Sequence, residues 1–135
     1  MPQSLDESAI GICRHLACAF GVALEWKWDG RFGTALAEFP SGDSADALGA
    51  LNLHLVSRWD IASIADAPEA VQALRKHLGG LMTGQLLLLS DPAAEPLAYC
   101  AWWPWGNGQR VSIRIGIFGS GSDQDAVLRS AFGIS

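Results

Sequence analysis

The 135-residue sequence has few of the groups on which many protein functions depend. It contains three cysteines, nine Lys and Arg against fourteen Asp and Glu, and no apolar run near the roughly 20 residues that cross a bilayer. An odd number of thiols in a chain large enough for its own core does not indicate a disulfide framework. The formal net charge of −5 disfavours nucleic acid, because its binding depends on cationic groups that displace counterions. We therefore expect neither nucleic acid nor membrane as a partner.

The start of the chain also lacks the features of a secretory signal. Residues 1–7 carry two acids, Asp6 and Glu7, and no base. A secretory signal has a cationic start, an unbroken apolar stretch and a small-residue cleavage site. We expect a cytoplasmic protein whose cysteines are reduced and buried.

Motifs of enzymes and metal sites are missing as well. Cys13, His15 and Cys18 form the single cluster of candidate metal ligands, but on a helix Cys13 and Cys18 would point roughly 140° apart. The glycine-rich run 116–122 has the spacing of neither common phosphate-binding loop, and Asp123 and Asp125 would repel a phosphate there. The sequence therefore indicates no metal site, no cofactor and no catalytic residue.

Its composition is typical of a domain with a core. Half of the residues are hydrophobic and 17% are charged, which is unlike the disordered class. A chain of this length buries well over half of its unfolded surface. We expect residues 1–135 to form one compact domain.

The first half of the chain predicts one helix and three strands. Ser4 and Glu7 form a capping box before a helix over 5–20, which Gly21 ends. The segment 22–39 alternates in its first half and turns at Asp29-Gly30, which predicts a β-hairpin. A polar, turn-rich stretch follows, and the alternation of leucines then predicts a third strand at about 51–57.

The second half predicts two helices and three more strands. A helix begins near Asp66 and Pro68 and ends at Gly79-Gly80. The run 86–89 has the length of a buried strand, and strands over 97–105 and 110–118 flank Asn107-Gly108, a strong hairpin signal. Ser122 and Asp125 form a capping box for a terminal helix. The predicted fold is α+β, a mainly antiparallel sheet with about three helices in the order α-βββ-α-βββ-α.

The second hairpin carries the most informative pattern. A two-residue turn at Asn107-Gly108 sets a register that separates two faces. One face is apolar and predicts core: Ala98, Cys100, Trp102 and Pro104 with Val111, Ile113, Ile115 and Ile117. The other joins aromatic rings to arginines, the residue types that dominate binding hot spots. Its members are Tyr99, Trp103, Trp105, Arg110 and Arg114. We interpret this face as a contact surface; the alternative is that a helix or the N-terminal segment covers the rings while the arginines reach water.

The order of elements, the acidic balance and the small size resemble the general plan of bacterial type III secretion chaperones and similar small acidic partner-binding proteins. The resemblance extends over the chain in element order and includes no motif, so it assigns a role to no residue. It implies a function in binding another protein.

Three functional hypotheses follow. The first is a non-enzymatic protein-binding module, a chaperone, adaptor or immunity-type inhibitor, with a homodimer among its expected states. The second is small-molecule binding or catalysis in a cleft lined by Trp26, Trp28 and the hairpin tryptophans, whose rings could stack on a flat ligand. The third is a structural subunit of a larger assembly.

Overall fold

The computed structural model describes residues 9–19, 24–93, 96–119 and 125–134 and confirms the α+β class. These residues form four α-helices and six strands. The elements are α1 (Ala9–Ala19), β1 (Lys27–Asp29), β2 (Thr34–Pro40), α2 (Ser44–Asn52), β3 (Ser57–Trp59), α3 (Glu69–His77), β4 (Leu86–Leu89), β5 (Leu97–Pro104), β6 (Arg110–Phe118) and α4 (Asp125–Ala131).

All six strands belong to one antiparallel sheet in the order β1-β2-β6-β5-β4-β3. β6 pairs along nearly its whole length with β5 and also with β2, so the second hairpin occupies the centre of the sheet. The short strands β1 and β3 form its two edges. This arrangement makes the second hairpin the frame on which both faces are built.

The first face of the sheet carries the larger core. Alternate residues of the central strands, such as Ala37, Cys100 and Ile113, are buried there beneath α1, α2 and α4. Leu16 and Leu51 contribute from the helices. This is the apolar hairpin face that the sequence predicts to be core, and its residues from Ala98 to Trp102 and from Val111 to Ile115 are buried. Ile117 is partly buried, and the prediction is wrong for Pro104, which is exposed at the end of β5.

The second face is partly covered by α3 and the segments that flank it. Val71 and Leu74 of this helix pack on Leu87, Leu89 and neighbouring residues of β4 and β5. Pro68 precedes the helix, three basic residues lie in its last turn, and Gly79 and Gly80 follow with positive φ, as the sequence predicts. One helix is too narrow for the whole sheet, so this face is only partly covered.

The predicted strand at 51–57 is wrong, because most of it belongs to a helix and to the turn that follows. α2 runs to Asn52, and the strand consists of Ser57–Trp59. Leu51 and Leu55 are buried while Leu53 is 76% exposed. Residues four apart, such as Leu51 and Leu55, lie on the same side of a helix and also on the same face of a strand. Their spacing is therefore compatible with both structures. The fold therefore has one helix more than the sequence predicts.

The other elements agree with the predictions where the structure describes them. The first hairpin is shorter than expected, with β1 limited to Lys27–Asp29, and the strands at 86–89, 97–104 and 110–118 are confirmed. Both predicted capping boxes, at Ser4 and Ser122, involve residues outside the described ranges. In those ranges no helix is long and apolar enough to span a bilayer.

The three cysteines are free thiols in different surroundings. Cys13 of α1 and Cys100 of β5 are fully buried in the first core, and burial raises the pKa of the Cys13 thiol to about 12. Burial also raises the pKa of Cys100. Cys18 is exposed, so the prediction that all three are buried is wrong for this residue.

Candidate functional site

The register of the second hairpin is the one predicted. Tyr99, Ala101 and Trp103 lie opposite Gly116, Arg114 and Ser112. The backbone N–H of Trp105 donates to the carbonyl of Arg110, which continues the same pairing to the turn. The turn itself differs from the predicted two-residue loop. The N–H of Gly108 donates to the carbonyl of Trp105, and Gly108 is the one residue of this turn with positive φ. The predicted faces are nevertheless correct.

The tip of this hairpin is anchored to the end of β2. Ser41 Oγ donates to the carbonyl of Gly108 at 2.7 Å, and the N–H of Ser41 donates to the carbonyl of Gln109 at 2.9 Å. Asn107 Oδ1 accepts the N–H of Gln109. The side chains near the tip therefore project from a fixed backbone.

Tyr99 is the predicted contact residue that the structure places inside the protein. It is 1% exposed and belongs to the core beneath α3. Its ring lies over Gly116, where a Cβ would be 2.7 Å from Tyr99 Oη and 2.8 Å from Thr34 Cγ2. Burial, followed by nearby thiols and Asp29, raises the pKa of the Tyr99 hydroxyl. Tyr99 packs the interior and is not available to a partner.

Arg114 is held by groups of the protein itself. Its Nε donates to Asp29 Oδ2 at 2.6 Å, and the two side chains are 18% and 12% exposed. The guanidinium lies 4.3 Å from the centre of the Trp103 ring and 5.7 Å from that of Phe32. Phe32 meets Trp103 edge to face, with ring centres 5.7 Å apart. These contacts join the first hairpin's turn to the second hairpin.

Trp105 and Arg110 lie further towards solvent. Trp105 is 39% exposed, and its Nε1 donates to Ser112 Oγ at 2.8 Å. The Arg110 guanidinium is 5.8 Å from the centre of this indole, and its Nε is 4.0 Å from an oxygen of Glu38. A half-exposed ion pair at this distance holds Arg110 weakly. Trp105 and Arg110 are thus the predicted site residues that a partner could contact.

We name the open half of the second face the aromatic–basic surface. Its charged members are four basic and two acidic, whereas acids outnumber bases in the whole chain. The register of β1, β2 and β6 brings them to this side of the sheet, with Arg31 placed beside Phe32. The surface consists of Lys27, Asp29, Arg31, Phe32, Glu38, Trp103, Trp105, Arg110 and Arg114.

The tryptophans of the first hairpin lie on the opposite side of the sheet. Trp28 pairs with Ala35 and packs against the first core, with the Arg129 guanidinium 4.6 Å from the centre of its ring. Trp26 packs on Phe132 with ring centres 4.5 Å apart. The expected cleft that joins these two indoles to Trp103 and Trp105 is therefore not formed, because the sheet separates the pairs.

The histidines have neighbours that the sequence does not indicate. His54 lies in the turn after α2, and its ring stacks on that of His15 with centres 5.3 Å apart. Burial, followed by the charge of His15, lowers the pKa of His54. His77 contacts Phe32 and Phe118. No group of three or more potential metal ligands is found among the residues that the structure describes.

Sequence reasoning missed Asp29, Phe32 and Ser112, which hold the surface together. Asp29 and Phe32 lie at the turn of the first hairpin, far from Arg114 in the sequence. Asp29 meets Arg114 because the strands that carry them, β1 and β6, both pair with β2. The bond joins positions 85 residues apart. No local pattern reports such a contact. Ser112 could have been found, because it faces Trp103 in the predicted register.

Comparison of the chain with protein-family models, with curated proteins and with solved structures finds no match.

Proposed function

We propose that this protein is a non-enzymatic protein-binding module that contacts its partner through the aromatic–basic surface. One observation carries the proposal. The half-exposed side chain of Trp105 lies beside the weakly paired Arg110, on the part of the second face that α3 leaves uncovered. Trp and Arg are the residues most enriched among binding hot spots. A fixed backbone lowers the entropy lost on association.

The charges of the surface favour a partner of complementary chemistry. Basic side chains outnumber acidic ones here by two to one, although the chain as a whole has a net charge of −5. Opposite potentials steer association and reject partners of like charge. The partner segment therefore presents carboxylates beside a large apolar side chain, which packs on Trp105 while the carboxylates approach Arg110 and Lys27.

A chaperone, adaptor or immunity-type inhibitor would use such a surface. The proposal places the protein in the cytoplasm and includes a homodimer, since small partner-binding modules are commonly symmetric. Self-association uses another region of the protein, because two copies of the aromatic–basic surface, each with more basic than acidic side chains, would repel each other.

A peptide selection tests this function. The purified full-length protein is used to select binders from a random linear-peptide library, and bound sequences are compared with those retained by Trp105→Ala and Arg110→Glu. We expect the wild type to enrich peptides that combine Asp or Glu with a large apolar residue. The two variants should lose at least about tenfold in affinity for them, since a hot-spot truncation costs about 2 kcal/mol.

Two matched variants control this experiment. Arg58→Glu makes the same charge change on β3, at the far edge of the sheet, and Val127→Ala shortens an exposed apolar side chain on α4. Both should bind the selected peptides as the wild type does. Selection of no acidic peptides, or equal binding by Trp105→Ala, would contradict the proposal.

A further inference from the structure

Two pairs of an arginine and a carboxylate lie on the aromatic–basic surface, and they differ in how firmly they are held. Arg114 Nε donates to Asp29 Oδ2 at 2.6 Å, and both of these side chains are mostly buried. Arg110 Nε is 4.0 Å from Glu38 Oε1, and these side chains are 39% and 42% exposed. At this distance the second pair has no hydrogen bond, and water reaches both groups. The first pair is therefore fixed, whereas the second separates at little cost.

Glu38 reaches Arg110 from the neighbouring strand. In the pairing of β2 with β6, Glu38 lies directly opposite Ser112, and Pro40 lies opposite Arg110. Alternate residues of a strand point to one face, so Glu38 and Arg110 are diagonal neighbours on the second face. Trp105 lies on the other side of the same guanidinium pair, because its Nε1 donates to Ser112 Oγ. The carboxylate and the indole are thus both neighbours of Arg110.

Most of the hydrogen-bonding capacity of Arg110 is unused in the free protein. In the part of the chain that the structure describes, Glu38 is the one carboxylate within 4.0 Å of this side chain. A guanidinium has five N–H donors in a planar fork, and it binds a carboxylate most strongly through two parallel hydrogen bonds. A second carboxylate that aligns with the fork would therefore replace a weak contact by a stronger one.

We propose that Glu38 is an internal competitor for Arg110, which a carboxylate of the partner displaces when the partner binds. This inference rests on the proposed function and specifies how the same surface sets its affinity. In the complex, the partner's carboxylate pairs with Arg110, and Glu38 turns to water. Because the pair is exposed, its separation leaves no buried charge unpaired. Since an ion pair must be given up for the new one to form, Glu38 lowers the affinity for acidic partners.

Asp29 does not compete in this way for Arg114. Its Oδ1 accepts the backbone N–H of Arg31, and its Oδ2 accepts the bond from Arg114. Separating the two side chains would leave the mostly buried Asp29 carboxylate without its ionic partner, which is costly. Arg110 is therefore the arginine of this surface at which exchange takes place.

Peptide binding by charge variants tests the exchange. The probe is a capped peptide with one phenylalanine between two pairs of glutamates, and a reference peptide carries glutamines in their place. Isothermal titration calorimetry with the full-length protein gives the dissociation constants. We expect Glu38→Gln to tighten binding of the glutamate peptide about two- to fivefold, the range of an exposed ion pair, and to leave the glutamine peptide unchanged.

A double-mutant cycle separates exchange from simple repulsion between Glu38 and the probe. If Glu38 acts by neutralising Arg110, Glu38→Gln should have little effect once Arg110 is replaced by Gln. A gain of equal size in the Arg110→Gln background would show that Glu38 only repels acidic peptides, and it would overturn the inference. Titrations to millimolar peptide keep the weaker binding of the Arg110→Gln proteins measurable.

Asp46→Asn is the control for net charge. It removes one negative charge from the exposed first turn of α2, on the opposite face of the sheet. Both peptides should bind to this variant as they bind to the wild type. Urea denaturation verifies that Glu38→Gln keeps the stability of the wild type, as expected for a change in an exposed ion pair.

The possible outcomes distinguish this inference from the proposed function. Binding of the glutamate peptide that Glu38→Gln leaves unchanged or weakens would reject the competitor and retain the contact surface. An equal gain for the glutamine peptide would also reject the competitor, because that peptide has no carboxylate to exchange. Failure of both the wild type and Glu38→Gln to bind the glutamate peptide at millimolar concentration would reject the contact surface and the competitor together.

Discussion

On the first face of the sheet, three helices bury alternate residues of the central strands, whereas on the second face α3 covers β4 and part of β5 and leaves the rest to side chains of the sheet. Cys100 and Ile113 meet helices on the first face. Trp103 and Arg114, on the second, meet Phe32 and Asp29 from a neighbouring turn. The same two strands thus support a closed core and an open surface.

This difference explains how arginines can stand among aromatic rings. A charge surrounded by apolar groups is costly unless it is paired. Arg114 meets this condition through Asp29, and the ring of Trp103 covers the face of its guanidinium. Arg110 has a weak contact with Glu38 and a longer one with the Trp105 ring, and its side chain is 39% exposed. The open half therefore contains an inner layer, Trp103 and Arg114, that is fixed by contacts within the protein. Its outer layer, Trp105 and Arg110, is less constrained.

Truncation of core residues should have the largest effect on stability. Ile113→Ala on the first face and Leu74→Ala beneath the second should each lower the free energy of unfolding by about 2 to 5 kcal/mol, because both side chains are fully buried. Equal losses would show that α3 is docked as firmly as the three helices opposite. Urea denaturation measures both values.

The control for this comparison is Leu36→Ala, a partly exposed residue of the open half. This substitution should lower the free energy of unfolding by about 1 kcal/mol, because it removes less buried apolar surface. If Leu74→Ala also costs less than about 1 kcal/mol, α3 does not form the second core.

The next effect concerns the contact between Tyr99 and Gly116. Gly116→Ala places a methyl group within 3 Å of the Tyr99 side chain and of Thr34, and both of these side chains are buried. We expect a loss of about 1 to 3 kcal/mol from overpacking. The double variant with Tyr99→Phe should recover part of it, because removing the hydroxyl relieves one of the close contacts. No recovery would place the strain elsewhere.

Substitution of the two hairpin tryptophans should distinguish the inner from the outer layer of the open half. Trp103→Ala removes contacts with Phe32 and Arg114 and should cost about 2 kcal/mol, less than full burial would imply. Trp105→Ala removes a half-exposed ring and should cost about 1 kcal/mol or less. Thermal unfolding compares them. Equal costs would show that Trp105 is part of the core and not of a contact surface.

The sequence predicts the hairpin surface better than its surroundings, for a physical reason. Trp103, Ser112 and Arg114 belong to one local register, which a single turn determines. Their coverage depends on α3 and on the Asp29 turn, which reach them through long-range packing that no local pattern encodes. The helix α2 was missed because Leu51 and Leu55 satisfy both a strand and a helix period. The class of the fold and five of its six strands follow from periodicity and turns alone.

The smallest expected effect lies on the helical side, in the stacked pair His15 and His54. Burial and the charge of His15 lower the pKa of His54 below its usual value of 6.5, so the folded state prefers the neutral imidazole. Unfolding releases this constraint, and the unfolded chain binds a proton more readily as the pH falls through 6.5. Stability should therefore be complete well above that value and decline slightly as the pH falls below it, in the range before carboxylates titrate. Urea midpoints across this range measure the decline, and His54→Gln should flatten it.

The control variant His77→Gln removes a histidine that packs on Phe32 beside the second face, and it should leave the decline in stability in place. A decline of equal size in His54→Gln would assign the effect to other groups.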